Sequence, residues 1–211
     1  MDQAVTSDWV VRVKPAGMDS EQEFPELLRR ELGGKLYPVH RLDRNVAGLM
    51  VYARTQAAAA ELSRIIQEGR MVKEYAAVCH GTPPEPEGRM EDLLWKDPRQ
   101  NKVFVVKRLR AGVRPAALTY RVLGPAEPEG TLVRVTLETG RSHQIRVQFA
   151  SRGCPLRGDH KYGARDRETA PALFSCGLRF PWRGAEQRFE CLPPWAEGEK
   201  ENHGPEAEEQ G

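Results

Sequence analysis

The sequence has no long hydrophobic run. Across 211 residues, no apolar stretch approaches the ~18 residues that a membrane-spanning helix requires. The start, MDQAVTSDWVVRVKPAG, also lacks the basic head and apolar core of a secretory signal peptide. We therefore expect a cytoplasmic protein with no membrane contact. Hydrophobic residues make up 39% of the chain, which is enough to fill the core of one ordinary globular domain.

Cysteine is scarce and scattered. The four cysteines form no C-x-x-C pair and have no neighbouring histidine at zinc-finger spacing; they are Cys79, Cys154, Cys176 and Cys191. The nearest approach to a metal motif is Cys154 followed by His160, and a lone pair at that separation is more typical of packing than of ligation. We expect reduced, mostly buried thiols and no metal site.

The net charge is close to zero, at +2, but the charges are unevenly distributed along the chain. The last sixteen residues carry six glutamates and one lysine, a balance of −5, so the total of +2 leaves +7 on residues 1–195. The acidic segment 196–211 also lacks apolar residues that could offset the entropy of ordering it. We predict a single domain over residues 1–195 and a disordered tail over residues 196–211.

Two segments concentrate the positive charge. Residues 96–114 contain seven Lys or Arg against one acidic residue, and residues 139–165 contain six against one. Clusters of this kind favour polyanionic partners. The alternative is a pair of solvated charged faces, but two such clusters in one small domain favour nucleic acid.

No internal repeat is present, and strand patterns outnumber helix patterns. Helices are predicted from residue 23 to an end before Gly33 or Gly34, from the N-cap Thr55 to a stop at Gly69, and after Ser142 as N-cap. Alternating or apolar runs predict strands at 8–13, 48–53, 72–80, 102–107, 117–123, 131–139, 172–180 and 187–192. The proline-rich stretch 81–88 has the character of an exposed connection. These patterns predict an α+β fold with a mixed, mainly antiparallel sheet flanked by helices and loops.

The stretch PVHRLDRNVAGLMVYART, residues 38–55, places one carboxylate inside an otherwise apolar run. If residues 38–43 are extended, Leu42 faces the core, while Arg41 and Asp43 face the opposite side, next to a turn that could overhang a cleft. From spacing alone, a structural ion pair between Asp43 and a nearby arginine is the main alternative to a functional role.

Three blocks resemble, in order, the motifs of the RluA-type RNA pseudouridine synthases. HRLDRNVAGL (40–49) is similar to the signature HRLDxxTSGL, which carries the catalytic aspartate of that family. KEYAAVCHG (73–81) and LETGRSHQIRVQFASRGCPLRGDHKYG (137–163) match two further motifs, and VKPAGM (13–18) resembles the family's opening strand and turn. The likeness covers roughly residues 8–195. It implies the pseudouridine synthase catalytic-domain fold and an isomerase that converts uridine to pseudouridine in rRNA or tRNA. It also implies a monomer that uses no metal or other cofactor.

The resemblance also implies roles for individual residues. Asp43 matches the catalytic aspartate, Arg146 the arginine that pairs with it, and Tyr75 the tyrosine that packs on the target base and is a candidate to help remove the proton from carbon 5. Arg41 matches an arginine that fills the gap left when a nucleotide is flipped out of a helix. The candidate RNA contacts are Arg41, Arg44, Lys73, Arg141 and His143. Because the chain begins close to the first motif, we expect the catalytic domain itself to recognise the substrate.

Three positions depart from the family pattern. Val46 and Ala47 replace the usual Thr and Ser beside the aspartate, and Gln148 stands where a histidine is common. We expect activity to survive these changes, because they spare the three catalytic candidates.

Two other functions compete with the synthase. A non-catalytic RNA-binding protein on the same scaffold fits the basic segments but gives no reason for an aspartate in the cleft. A glycoside hydrolase would need a second carboxylate near Asp43, and neither Glu74 nor Asp159 has a spacing that argues for it.

Overall fold

The computed structural model describes residues 2–193 and 195. This part of the chain forms eleven β-strands, three α-helices and one short 3₁₀ helix, His160–Tyr162. The helices are α1 (Glu23–Leu32), α2 (Gln56–Gln67) and α3 (Gln144–Ala150). The strands are β1 (Asp2–Val5), β2 (Trp9–Lys14), β3 (Tyr37–Pro38), β4 (Ala47–Ala53), β5 (Val72–Cys79), β6 (Glu87–Asp97), β7 (Lys102–Val106), β8 (Val113–Pro125), β9 (Thr131–Leu137), β10 (Leu173–Trp182) and β11 (Ala185–Glu190). The predicted tail, residues 196–211, lies outside the described residues, so the predicted division at residue 195 stays a prediction.

All the strands belong to one sheet. Its main path runs β1-β2-β4-β10-β5-β9-β8-β6-β7, with β11 paired to β10 and β3 paired to β4. The β4–β10 pair, which aligns Phe174 with Ala47, is parallel, and the other recorded pairs are antiparallel. Short connections between successive strands favour this arrangement. The predicted α+β fold with a mainly antiparallel sheet is confirmed.

Helices cover both faces of the sheet. Met50 and Tyr52 of β4 point to the face that holds α1 and α3, whereas Leu49 and Val51 point to the face that holds α2. Strand β4 is therefore buried on both sides, which explains why its sequence is a continuous apolar run. Thr55 caps α2 as predicted, with its hydroxyl accepting the Ala58 N–H at 3.1 Å. None of the helices in residues 2–193 has the length and apolar character needed to cross a bilayer.

Several local predictions were wrong. Ser142 is not the N-cap of α3; the helix begins after His143, which has a left-handed backbone and no side-chain cap. Strands β1, β3 and β6 were missed. Strand β6, EGRMEDLLWKD, has acidic residues on both faces and low β-propensity, but it forms because β7 and β8 pair with it on either side. Residues 39–43 are irregular rather than a strand, although Leu42 is buried as expected.

Candidate functional site

Asp43 lies in the loop that leads into β4, on the sheet face that holds α3. The backbone on both sides of it is held in place. Ser20 exchanges two hydrogen bonds with the backbone of Leu42, at 3.0 and 3.2 Å. On the other side, the carbonyl of Arg44 accepts hydrogen bonds from the Lys14 ammonium at 3.1 Å and from the Gly17 amide at 2.8 Å.

Lys14 is fully buried, and it also donates to two carbonyls of its own turn at 2.8 Å. Burial lowers the pKa of Lys14 to about 8, yet three carbonyl acceptors surround its ammonium group. A buried amino group satisfied in this way fixes the loop and therefore fixes the position of Asp43.

Close contact with β10 explains the sequence that follows Asp43. Gly48 has φ of +126°, and a Cβ at this position would overlap the backbone of Ser175. Val46 is buried in the core with α1 and α3, and Ala47 pairs with Phe174. The family's Thr and Ser are thus replaced by side chains that pack, and Val46 in particular places an apolar group in an apolar setting.

Arg146 of α3 joins Asp43 to a second carboxylate. Its Nη1 donates to Asp43 Oδ2 at 3.0 Å, while its Nε and Nη2 donate to the two oxygens of Asp159 at 2.7 and 2.8 Å. The Asp159 side chain is completely buried, and that of Asp43 is 19% exposed. Burial acts to lower the pKa of Arg146, but the hydrogen bonds and charges of both carboxylates outweigh it and raise the pKa above its ordinary value. Asp159 thus holds the guanidinium in position through Nε and Nη2, and Asp43 accepts a hydrogen bond from the remaining nitrogen, Nη1.

The pairing of Asp43 with Arg146 was predicted from the sequence, but the role of Asp159 was missed. The available signal was the GD of GDHKYG, at the end of the motif that spans residues 137–163. Asp159 does not supply the second carboxylate of a glycoside hydrolase, because both of its oxygens are held by Arg146 in a site without solvent. Glu74 borders neither part of the cleft described below.

His143 and Tyr162 form a hydrogen-bonded pair beside Asp43. Tyr162 Oη lies 2.8 Å from His143 Nδ1 and accepts the Val103 N–H, also at 2.8 Å. The phenolic hydrogen is then free to bond Nδ1, and in that arrangement, which we infer, the imidazole hydrogen lies on Nε2, 3.9 Å from Asp43 Oδ2. Burial lowers the pKa of His143, which favours this neutral form. The left-handed backbone of His143 is a local strain of the kind found at functional sites.

This assignment predicts the effect of Tyr162→Phe. Without the hydroxyl, Nδ1 loses its donor, and we expect the Nε2–H tautomer of His143 to lose population in ¹⁵N NMR spectra. The free energy of unfolding should fall by about 2 kcal/mol, because the hydroxyl's hydrogen bonds to His143 and to the Val103 N–H are both lost. Tyr120→Phe is the matched control, since it removes a hydroxyl that bonds the Glu85 carbonyl away from His143. An unchanged His143 tautomer in Tyr162→Phe would contradict the assignment.

Two lobes of one cleft meet at Asp43, His143 and Arg146. The tyrosine lobe, about 720 Å³, is lined by Tyr75, Lys73, His40, Val46 and Leu173, among others. The cationic lobe, about 680 Å³, has Arg41, Arg44, Lys96, Lys161 and Arg167 in its wall. One lobe thus has an aromatic and partly apolar wall. The wall of the other has six Lys or Arg against four Asp or Glu, Asp43 included, and Asp43 lies where the two lobes meet.

Tyr75 is 5% exposed. Burial raises the pKa of its phenol, and the negative charge of Asp43 raises it further. Tyr75 is therefore a neutral phenol at pH 7. As a neutral phenol, Tyr75 can accept a proton only if it gives up its own proton beforehand or at the same time.

The five predicted RNA contacts all border the cleft. They differ in whether a neighbouring group already contacts their charged or polar atoms. Arg44 makes two hydrogen bonds with Glu23, at 2.8 and 3.0 Å, and Arg41 pairs with Glu21 at 3.1 Å. The others are Lys73, whose pKa is lowered by burial, Arg141, whose Nε donates to the Pro115 carbonyl, and His143.

Gln148, the third departure from the family pattern, faces away from Asp43. It is fully buried, and its amide donates to Asp92 Oδ2 at 2.7 Å and to the Met90 carbonyl at 3.2 Å. This residue therefore anchors α3 to β6. Within residues 2–193, no group of three or more His, Cys, Asp or Glu side chains is arranged to hold a metal ion.

An aspartate held by a buried arginine, at the meeting point of an aromatic pocket and a cationic groove, is the kind of site expected in a protein that acts on nucleic acid. The family model of RNA pseudouridylate synthases matches residues 8–151. The chain therefore belongs to the RNA pseudouridylate synthase family.

Individual relatives agree with this assignment. An uncharacterized RNA pseudouridine synthase of Chloroflexus aurantiacus is 42% identical over 183 residues, which are 81% of this chain and 54% of that protein. Ribosomal large subunit pseudouridine synthase D of Haemophilus ducreyi is 35% identical over 129 residues, 61% of this chain and 38% of that protein. The chain thus spans about half or less of the length of these relatives.

Solved structures show the same fold. Human RNA pseudouridylate synthase domain containing 1 matches with a TM-score of 0.80 at 24% identity, over 91% of this chain and 82% of that one. Human RNA pseudouridylate synthase domain containing 4 matches with a TM-score of 0.76 at 23% identity, over 92% and 88%.

Proposed function

We propose that this protein isomerises uridine to pseudouridine in RNA, with Asp43 as the catalytic residue. The observation that carries the proposal is the position of Asp43: it lies between the tyrosine lobe and the cationic lobe and is bound to Arg146 at 3.0 Å. The RNA backbone passes along the cationic lobe, and the flipped uracil enters the tyrosine lobe beside Tyr75.

The reaction needs one bond broken and one bond made at the same ribose carbon. The bond from C1′ to N1 of uracil breaks, the base turns in the pocket, and C5 bonds to C1′. The proton on C5 is then removed, and N1 gains one, so that no redox partner is needed. Asp43 acts at C1′ as a nucleophile or as a base for the sugar, and Tyr75 lies where it can help to move the C5 proton.

The other site residues support these steps. Arg146 orients Asp43 through a charge-assisted hydrogen bond from its guanidinium. Arg41 is exposed at the mouth of both lobes, where it can fill the gap left by the extruded base once its ion pair with Glu21 opens. Arg44, Lys73, Arg141 and His143 contact the RNA around the target.

The RNA is most directly suggested by the relatives named ribosomal large subunit pseudouridine synthase D. We therefore propose large-subunit rRNA as the first substrate to test and tRNA as the second. A monomeric state and a cytoplasmic location stay predictions. The competing function, RNA binding without catalysis, is less well supported because it gives no role to an ion-paired carboxylate that is partly open to the cleft.

The test has two parts. Pseudouridine maps of cellular RNA with and without the gene should differ at one or a few uridines. The purified full chain should then release tritium from [5-³H]uridine in the RNA that carries a lost site. Identical maps, together with no tritium release from rRNA or tRNA, would refute the proposal.

A further inference from the structure

The β6–β7 hairpin carries an aromatic pair on its outer face, opposite the cleft. Trp95 and Phe104 are directly opposite each other in the strand register, with ring centroids 6.1 Å apart and planes tilted by 31°. Leu94 and Val103, the neighbours in sequence, pack inward against Val147 of α3. Because side chains alternate along a strand, Trp95 and Phe104 face the other way, and both are only half-buried.

Each ring lies beside a cation. The Arg110 guanidinium carbon is 5.5 Å from the Trp95 ring, and Lys102 Nζ is 5.7 Å from the Phe104 centroid. None of the seven Lys and Arg residues of segment 96–114 forms an ion pair with a carboxylate of the residues that the structure describes. Elsewhere on the surface, exposed arginines such as Arg64 and Arg121 are paired with glutamates. The single acid of the segment, Asp97, accepts hydrogen bonds within the hairpin turn.

The hairpin tip joins this outer face to the candidate active site. Lys96 and Asn101 line the cationic lobe. Lys102 Nζ lies 5.4 Å from the ring of Tyr162, the partner of His143, as well as next to Phe104. The Lys161 ammonium donates to the Asn101 carbonyl at 3.1 Å, which fixes the tip against the 3₁₀ helix. Lys96 on the cationic lobe and Lys102 beside Phe104 therefore place positive charge at the tip, between the lobe and the aromatic pair.

We propose that the outer face of the hairpin binds a single-stranded segment of the RNA next to the target uridine. Bases stack on Trp95 and Phe104, and Lys102, Lys107 and Arg110 contact the phosphates. Aromatic rings combined with unpaired cations are the means by which proteins hold single strands without sequence preference. Duplex RNA fits less well, because its bases are already stacked and cannot reach the rings. That the bound strand belongs to a substrate rests on the proposed function, but the binding itself does not.

The test uses the full chain and a labelled ten-nucleotide oligoadenylate, which contains no uridine to modify. We expect Trp95→Ala and Phe104→Ala each to weaken binding by about tenfold, the effect of one lost stacking contact. Trp95→Phe should stay within about twofold of wild type. Leu109→Ala is the matched control, because Leu109 is 71% exposed in the same segment but has no aromatic ring. The affinity of this variant for oligoadenylate should equal that of wild type. Arg110→Ala should reduce the slope of log affinity against log salt by about one phosphate contact.

Three outcomes would overturn the proposal. One is wild-type affinity in Phe104→Ala and in Trp95→Ala, with thermal melting showing both folded. Another is equal affinity for a ten-base-pair RNA duplex. The third is equal affinity for a polyglutamate peptide, which would indicate an acidic protein partner instead. If Trp95→Ala does not fold, Phe104→Ala and Arg110→Ala decide.

The outcome is separable from that of the proposed function. Ring-dependent binding of oligoadenylate, without tritium release from any RNA, would leave the hairpin site standing and refute the synthase activity. Tritium release, together with oligoadenylate binding that does not depend on Trp95 or Phe104, would support the synthase activity and refute the hairpin site.

Discussion

Asp43→Asn should abolish pseudouridine formation and leave the fold intact. Asparagine has nearly the same shape, and its carbonyl oxygen can still accept the hydrogen bond from Arg146 Nη1. An amide, however, is neither a nucleophile nor a base, so we expect turnover to fall by about 10⁴-fold or more. The free energy of unfolding should change by about 1 kcal/mol at most, because Arg146 keeps both bonds to Asp159. Tritium release and thermal melting measure the two effects.

A matched variant separates chemistry from charge. Glu168→Gln removes a carboxylate charge from the wall of the cationic lobe without touching Asp43, Arg146 or Asp159. We expect it to bind RNA slightly more tightly, as Asp43→Asn should, but to keep its turnover. Turnover near wild type in Asp43→Asn would refute the catalytic role. Loss of turnover together with unfolding would instead assign Asp43 to a structural ion pair.

The parts of the fold that could be predicted from the sequence are those governed by local pattern. Strand β4 was predicted because its seven residues are apolar and are covered on both faces. Strand β6 was missed because its residues alone do not favour a strand; its formation depends on β7 and β8, whose pairing partners lie up to 34 positions away. The N-terminus of α3 was misplaced for a related reason. His143 is held in a left-handed conformation by a site whose other members, Tyr162 and Asp43, are distant in sequence.

The candidate site divides in the same way. The sequence predicted the pairing of Asp43 with Arg146 because each residue lies in a recognisable sequence motif. The structure places the two side chains in contact, although they are 103 positions apart in the chain. Asp159 was left out because a motif states which residues recur and not which atoms meet. The bidentate contact between Arg146 and Asp159 exists only once α3 and the segment after it pack against each other.

That contact changes what Arg146→Met should do. From the Asp43–Arg146 pair alone, the stability lost in Arg146→Met should be partly recovered by adding Asp43→Asn. In the structure, the group left without a partner is mainly Asp159, whose side chain is completely buried, whereas Asp43 can still contact water. We therefore expect Arg146→Met to lower the free energy of unfolding by about 3–5 kcal/mol, the cost of breaking a buried ion pair on one side. Turnover should fall with it, because Asp43 loses the guanidinium that orients it.

The two double variants then decide which carboxylate depends on Arg146 for stability. Adding Asp159→Asn to Arg146→Met removes the uncompensated buried charge and should restore about 2 kcal/mol, whereas adding Asp43→Asn should restore less than about 1 kcal/mol. Neither double variant should regain turnover. Urea unfolding of the three single and two double variants, beside wild type, measures the coupling, with equal denaturant slopes as the check that the unfolding transition is unchanged. A larger recovery with Asp43→Asn would show that Asp43 is the principal partner of the guanidinium. Asp159 would then be no more than a neighbour, and the site would depend on one ion pair instead of on an arginine shared by two carboxylates.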